Sequence, residues 1–307
     1  MTLRPAAAVG TAAVGTATAW WAMRHLGSPA VRDWQPSKLP GRRVGPLHVR
    51  HGGDTGPVVV LLHGLVATGE VFGAAFDSCA DSSTLVVPDL LGFGRSLDEA
   101  RQHFAPDHHL DALDEMLDAL GLTGRPIIIG AHSMGAAVAV RWARRRGSQV
   151  QRVVCWGLPV YPDGDAVDTA LVDSGLMTRL FVANTTSARI ACEINCSHRT
   201  TAGLAAAALS PSLPLPIARA ASLHTWPAYR DAMEHLVAGT DWSNCLHAVD
   251  AAGTTVELTW GSDDGIGDRN YARSLRAASV KIVEGAGHHL PLTHGDRCRS
   301  QLFTDPA

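Results

Sequence analysis

Ser133, a pair of acids and a pair of histidines are the residues of this chain whose types and positions could carry out nucleophilic acyl transfer. The serine lies in Ile127-Ile128-Ile129-Gly130-Ala131-His132-Ser133-Met134-Gly135, between an apolar run and an Ala/Val-rich segment. A serine hydroxyl attacks a carbonyl only when a base takes its proton, a third group fixes the tautomer of that base, and donors await the oxyanion. The small residues Ala131 and Gly135 suit a sharp strand-to-helix turn, where flanking backbone comes too close for large side chains. The Met134 amide, at the start of the following helix, has no intrahelical acceptor and sits at the positive end of the helix dipole, so it is a candidate oxyanion donor. On its own, Ala-x-Ser-x-Gly equally describes a plain helix start. Further along, Asp263 and Asp264 follow Trp260-Gly261-Ser262, and His288 and His289 follow Glu284-Gly285-Ala286-Gly287.

The elements that must hold these residues are legible from periodicity. Val58 to Leu62 is a continuous apolar run ended by His63-Gly64, the pattern of a strand buried on both faces. Leu85 to Val87, Ile127 to Ile129, Val150 to Trp156, Val256 to Trp260 and Val280 to Val283 read as further strands. Leu110, Leu113, Leu117 and Leu120, with acids on the opposite side, predict an amphipathic helix. Gly135 to Arg146 predicts another, with basic residues in its last turn and Gly147 as its stop. Strand and helix alternate as in a mostly parallel sheet with helices on both faces. The rhythm breaks between Leu158 and about Ala252. There we expect a helical insertion over 162–222, interrupted at Leu213-Pro214-Leu215-Pro216, then a return helix including Tyr229 to Val237. The expected division is an Ala-rich segment over 1–25, a linker with first short strands over 26–56, a core over 57–161 and 223–307, and the inserted cap.

At this point the chain resembles the α/β-hydrolase family, from about Val58 to Leu302. His63-Gly64-Leu65 looks like the oxyanion-loop signature of that family, and Pro88-Asp89-Leu90-Leu91-Gly92-Phe93-Gly94-Arg95-Ser96 looks like its post-strand turn. The resemblance implies an α/β-hydrolase fold with a helical cap after the sixth core strand. It selects Asp264, three residues after Gly261, as the acid, with Asp263 as the fallback. It selects His288 in Gly-x-Gly-His as the base, and the backbone amides of Leu65 and Met134 as the oxyanion hole. Ser133, Asp264 and His288 then occur in the chain order this fold uses. His63 and Asp89 are read as structural turn residues. The implied chemistry is cleavage of a carboxylic ester through an acyl-enzyme, with no cofactor. Serine at the elbow argues against the dehalogenase and epoxide hydrolase chemistry of the family, which uses aspartate there. C–C bond hydrolysis, lactonase and perhydrolase activity on the same machinery stay open, as does a non-catalytic ligand receptor.

Composition bounds the partners. With 46% hydrophobic and 18% charged residues and a net charge of -3, the chain is an ordinary globular protein without the basic footprint of a nucleic-acid binder. A small, apolar ester or acyl substrate is expected, with Trp226 and Met177 near an apolar lid. Six dispersed cysteines do not form a disulfide scaffold. Cys192 and Cys196, four apart, share a helix face with His198 just beyond, but no second pair stands at zinc spacing and no metal is expected. The stretch from Pro5 to Met23 carries no charge, is flanked by Arg4 and Arg24, and ends near Trp20-Trp21. It reads as a membrane anchor, as a secretory signal ending at Ala17-Thr18-Ala19, or as an Ala-rich tail. Cytoplasmic or membrane-associated residence is favoured over secretion.

Overall fold

A computed structural model describes residues 18–173, 186–239 and 241–304. Eight strands form one sheet: β1 (Gly41–Val44), β2 (Leu47–Gly52), β3 (Val58–Leu62), β4 (Thr84–Pro88), β5 (Ile127–His132), β6 (Val150–Trp156), β7 (Thr255–Gly261) and β8 (Ser279–Val283). Their order is β1-β2-β4-β3-β5-β6-β7-β8. The β1–β2 and β2–β4 pairs are antiparallel and the remaining pairs are parallel. Val58, Val60 and Leu62 of β3 pack into one apolar layer, while Val59 and Leu61 face a second layer on the other side. Burial on both faces is why the strand is an unbroken apolar run. Each such side chain contributes about 1.5–3 kcal/mol of hydrophobic stabilisation.

The first layer holds α1 (Pro106–Ala119), α2 (Met134–Arg146) and α3 (Trp242–Ala251) against the sheet. Helix α2 ends at Gly147, whose φ of 57° is the left-handed stop that the sequence expects. On the other face lie two 3-10 segments and α4 (Leu290–Thr293) and α5 (Gly295–Gln301).

Three local expectations are corrected. The linker read ahead of the first short strands contains a short helix, Pro29–Asp33, while β1 is one of the short strands expected over 26–56. The hairpin closes at Gly45, whose φ is 53°. Strand β5 does not stop at Ile129 but runs through Gly130 to His132. The glycine is tolerated because Trp156, Leu61 and Leu302 occupy the place of a side chain, 2.7–2.8 Å from where a Cβ would stand. The return helix is Trp226–Ala232, continued by a π turn over Met233–Val237.

Between β6 and β7 the chain forms helices Gly164–Asp173, Thr186–Ser197, Arg199–Leu209 and Leu215–Ala220. Pro214 caps the last of these, so the proline-rich segment starts a helix rather than only ending one. This region is tied down at several points. Arg199 pairs with Glu99 at 2.6 Å, and the Gly94 amide donates to the Leu223 carbonyl at 2.8 Å. The helical residues 18–27 reach it through His25 to the Pro211 carbonyl, and Ser28 reaches it through the Ser212 carbonyl. Among the described residues no helix is long and apolar enough to cross a membrane. Most of the uncharged N-terminal stretch, and Met177, lie outside the described residues.

Candidate active site

All five candidate groups fall at the C-terminal ends of parallel strands: Leu65 after β3, Ser133 after β5, Asp264 after β7 and His288 after β8, with Met134 opening α2. That is the edge where open α/β sheets bind ligands. Ser133 has φ 54° and ψ -123°, a conformation rare for a residue with a side chain. Its amide donates to the Trp156 carbonyl at 2.8 Å, which anchors the turn to the end of β6. The tight approach explains the small neighbours. A Cβ on Gly135 would collide with the carbonyls of His63 and Leu62. A Cβ on Gly64 would stand 3.1 Å from the Ser133 Cβ and 3.0 Å from His132 Nδ1, so the loop carrying Leu65 lies directly against the serine. Leu65 sits in a turn just beyond β3, and next to it Val66 has φ 47°. Among the described residues, neither the Leu65 nor the Met134 amide donates to another backbone group outside regular helix or strand.

Asp264 is buried, and its carboxylate accepts from His288 Nδ1 at 2.9 Å and from the Ile266 amide at 2.8 Å. Asp263, by contrast, is exposed and bonded to the Ser262 hydroxyl at 3.0 Å, so Asp264 is the acid that faces the histidine. The His288 side chain is 24% exposed, whereas that of its partner Asp264 is fully buried. Among the described residues no hydrogen bond joins Ser133 Oγ to His288. The two residues nevertheless meet on one strand end. Ser133 is anchored to Trp156, and the His288 ring lies over the next residue, Gly157.

Two neighbours escaped the sequence reading. Gly157 has φ 67°, and a Cβ there would stand 2.8 Å from His288 Cε1 and 2.9 Å from Nδ1. The buried His132 donates from Nε2 to the His288 carbonyl at 2.9 Å, with ring centroids 4.7 Å apart. Burial, then the nearby His288 and His289, hold its pKa well below the ordinary histidine value. A glycine at a strand end and a histidine inside the serine motif were both visible as letters. Their partners, 131 and 156 positions away, were not. His63 and Asp89 are turn residues as expected. Buried His63 accepts from the Leu90 amide at 2.8 Å, and Asp89 accepts from the Gly69 and Arg95 amides, each at 2.8 Å.

A hollow of about 510 Å³ opens between core and inserted helices, lined by Thr68, Asp89, Arg95, Arg199 and Arg219 among others. Ser133, Asp264 and His288 do not line it, so it is separate from the strand-end site.

A family model described as the alpha/beta hydrolase family matches residues 59–301. A cis-3-alkyl-4-alkyloxetan-2-one decarboxylase of Xanthomonas campestris is 31% identical over 38% of this chain and 40% of its own length. Lipase LipV of Mycobacterium tuberculosis is 34% identical over 39% of this chain and 45% of its own. The chain thus spans under half the length of these relatives. Among solved structures, an E-2-(acetamidomethylene)succinate hydrolase superposes with a TM-score of 0.62 at 19% identity, covering 86% of this chain and 97% of that one. The family match over most of the sequence and the parallel sheet with its strand-end site agree, and the chain belongs to the alpha/beta hydrolase family.

Proposed function

We propose that the protein is a serine hydrolase that cleaves a carboxylic ester through Ser133, His288 and Asp264. The observation that supports this most is the His288 Nδ1–Asp264 hydrogen bond of 2.9 Å, with a serine in strained backbone at the end of β5, across the end of β6 from the pair. A proton on Nδ1, held by the buried carboxylate, leaves Nε2 with a free lone pair. A turn of the Ser133 side chain brings Oγ to that nitrogen, a contact that in free enzymes commonly forms only with substrate bound. His288 then takes the hydroxyl proton as Oγ attacks the carbonyl carbon. The oxyanion is received by the Leu65 and Met134 amides, where the N-terminus of α2 also favours negative charge. His288 returns the proton to the leaving alcohol, and water activated by the same histidine releases the acid.

The printed name of the Xanthomonas relative includes an oxetan-2-one, a four-membered cyclic ester. Lactones therefore belong in the substrate panel with linear esters of increasing chain length.

The test is fluorophosphonate labelling followed by peptide mass mapping, with nitrophenyl ester turnover measured in parallel. The adduct is expected on Ser133, with turnover absent in Ser133→Ala. Asp264→Asn should lower kcat on the order of 10⁴-fold by stabilising the wrong tautomer. Wild-type turnover by purified Ser133→Ala would end the assignment. Ligand-induced stabilisation with neither adduct nor burst would favour a receptor instead.

A further inference from the structure

Away from the triad, Cys192 and Cys196 stand one turn apart on the helix Thr186–Ser197, and the side chain of His224 closes on them from the segment that returns to the core. The two Sγ atoms are 3.7 Å apart, Cys192 Sγ is 3.3 Å from His224 Nε2, and all three ligand atoms lie within 4.8 Å of one another. We propose that Cys192, Cys196 and His224 form a binding site for a thiophilic divalent ion, with Zn²⁺ the ion it fits best.

The spacing is the first argument. A tetrahedral ion with Zn–S of about 2.3 Å and Zn–N of about 2.0 Å separates two sulfurs by about 3.8 Å and sulfur from nitrogen by about 3.5 Å. Two edges of the cluster already have nearly those lengths. The donor set is the second argument: two thiols and an imidazole select zinc over the oxygen-seeking magnesium and calcium. The third is the histidine itself. His224 is buried, and among the described residues its Nδ1 has no well-formed hydrogen bond. Metal at Nε2 fixes the proton on Nδ1, for which the Ala221 backbone is the acceptor at hand.

Coordination exchanges the two thiol protons, released to water, for two Zn–S bonds, and the hydrogen bond from Cys196 Sγ to the His224 carbonyl is given up. Cys196 also lines a hollow of about 370 Å³ together with Glu193, Arg189 and Trp226, a route by which solvent reaches the site. Water completes the tetrahedron there. Residue 224 also bridges Phe93 of the core, so the ion would fasten the inserted helices to the loop after β4. His198, just beyond the two cysteines in sequence, is exposed and turned to the Ile194 carbonyl.

The test uses the full chain, reduced and stripped with a chelator, then titrated with Co²⁺ and afterwards with Zn²⁺. One equivalent of Co²⁺ should bring up a thiolate-to-cobalt charge-transfer band and the intense visible bands of a tetrahedral ion. Zn²⁺ should remove both and raise Tm. Cys192→Ser and Cys196→Ser should each lose charge-transfer intensity, and His224→Gln should shift the visible bands. Cys79→Ser, at a buried thiol elsewhere, should match wild type. Absence of the band in reduced wild-type protein overturns the proposal, as does its survival in the Cys192→Ser/Cys196→Ser double variant.

Discussion

His132 Nε2 donates to the backbone carbonyl of His288 across 2.9 Å, so the residue before the elbow serine holds the loop that carries the candidate base. Removing that donor frees the loop without touching Ser133 or Asp264. His132→Ala is expected to lower kcat on the order of 10²-fold, the scale of a misplacement of about 1 Å, while the far-UV circular dichroism stays native. Wild-type kcat in this variant would remove His132 from the positioning of His288.

Gly157 underlies the His288 ring with φ 67°. Gly157→Ala adds a methyl where Cε1 and Nδ1 now lie and imposes left-handed backbone on a residue with a side chain. The expected cost is about 1–2 kcal/mol in stability by urea unfolding, with kcat falling on the order of 10²-fold. A fall in stability with unchanged kcat would show that the ring does not depend on this surface.

Glu257 is fully buried in β7, where Arg152 reaches it at 3.1 Å, Lys281 at 3.0 Å and the Gln301 amide at 2.6 Å. Gln301 in turn accepts from Trp156 Nε1 at 2.8 Å, so the cluster ties α5 to the strands beneath the site. Glu257→Leu leaves the buried Arg152 unpaired, and a loss of about 3–5 kcal/mol is expected. Chemical denaturation reads it directly. A loss under about 1 kcal/mol would mean that Arg152 finds water when its partner is gone.

His63, His109 and His132 are buried with pKa values below the ordinary histidine value, His109 at about 4, mainly because burial penalises the charged ring. The unfolded chain takes up these protons near pH 6.5 and the folded chain only at lower pH. Their contribution to stability is therefore complete above about pH 6.5 and is lost as pH falls from there towards 4. Tm should decline over that window. Among the described residues neither ring nitrogen of His109 has a hydrogen-bond partner, so His109→Leu should raise stability at pH 7 by about 1 kcal/mol and flatten the acid-side decline. A Tm profile that is flat from pH 7 to 4.5 would contradict the assignment of these rings as neutral.

The sequence by itself determined the sheet and the order in which chemistry is hung on it. Val58–Leu62 could be read as a doubly buried strand, because a strand covered by helices on both sides has no polar positions to spare. The amphipathic pattern around Leu110 and Leu117 is likewise a local consequence of one face meeting the core. The glycine-bounded loops carrying Ser133, Asp264 and His288 were visible for the same reason. Turns that need special backbone conformations restrict residue types within a few positions.

Only the tertiary structure set Asp263 and Asp264, between which the family resemblance had preferred Asp264, apart by burial, since adjacent residues point to opposite environments and their letters are identical. It alone brought His132 to the His288 loop, Gly157 under the ring and His224 beside the paired cysteines. Each of these contacts joins residues far apart in the chain. Local periodicity records which face of an element is buried; it carries no record of which distant element covers that face.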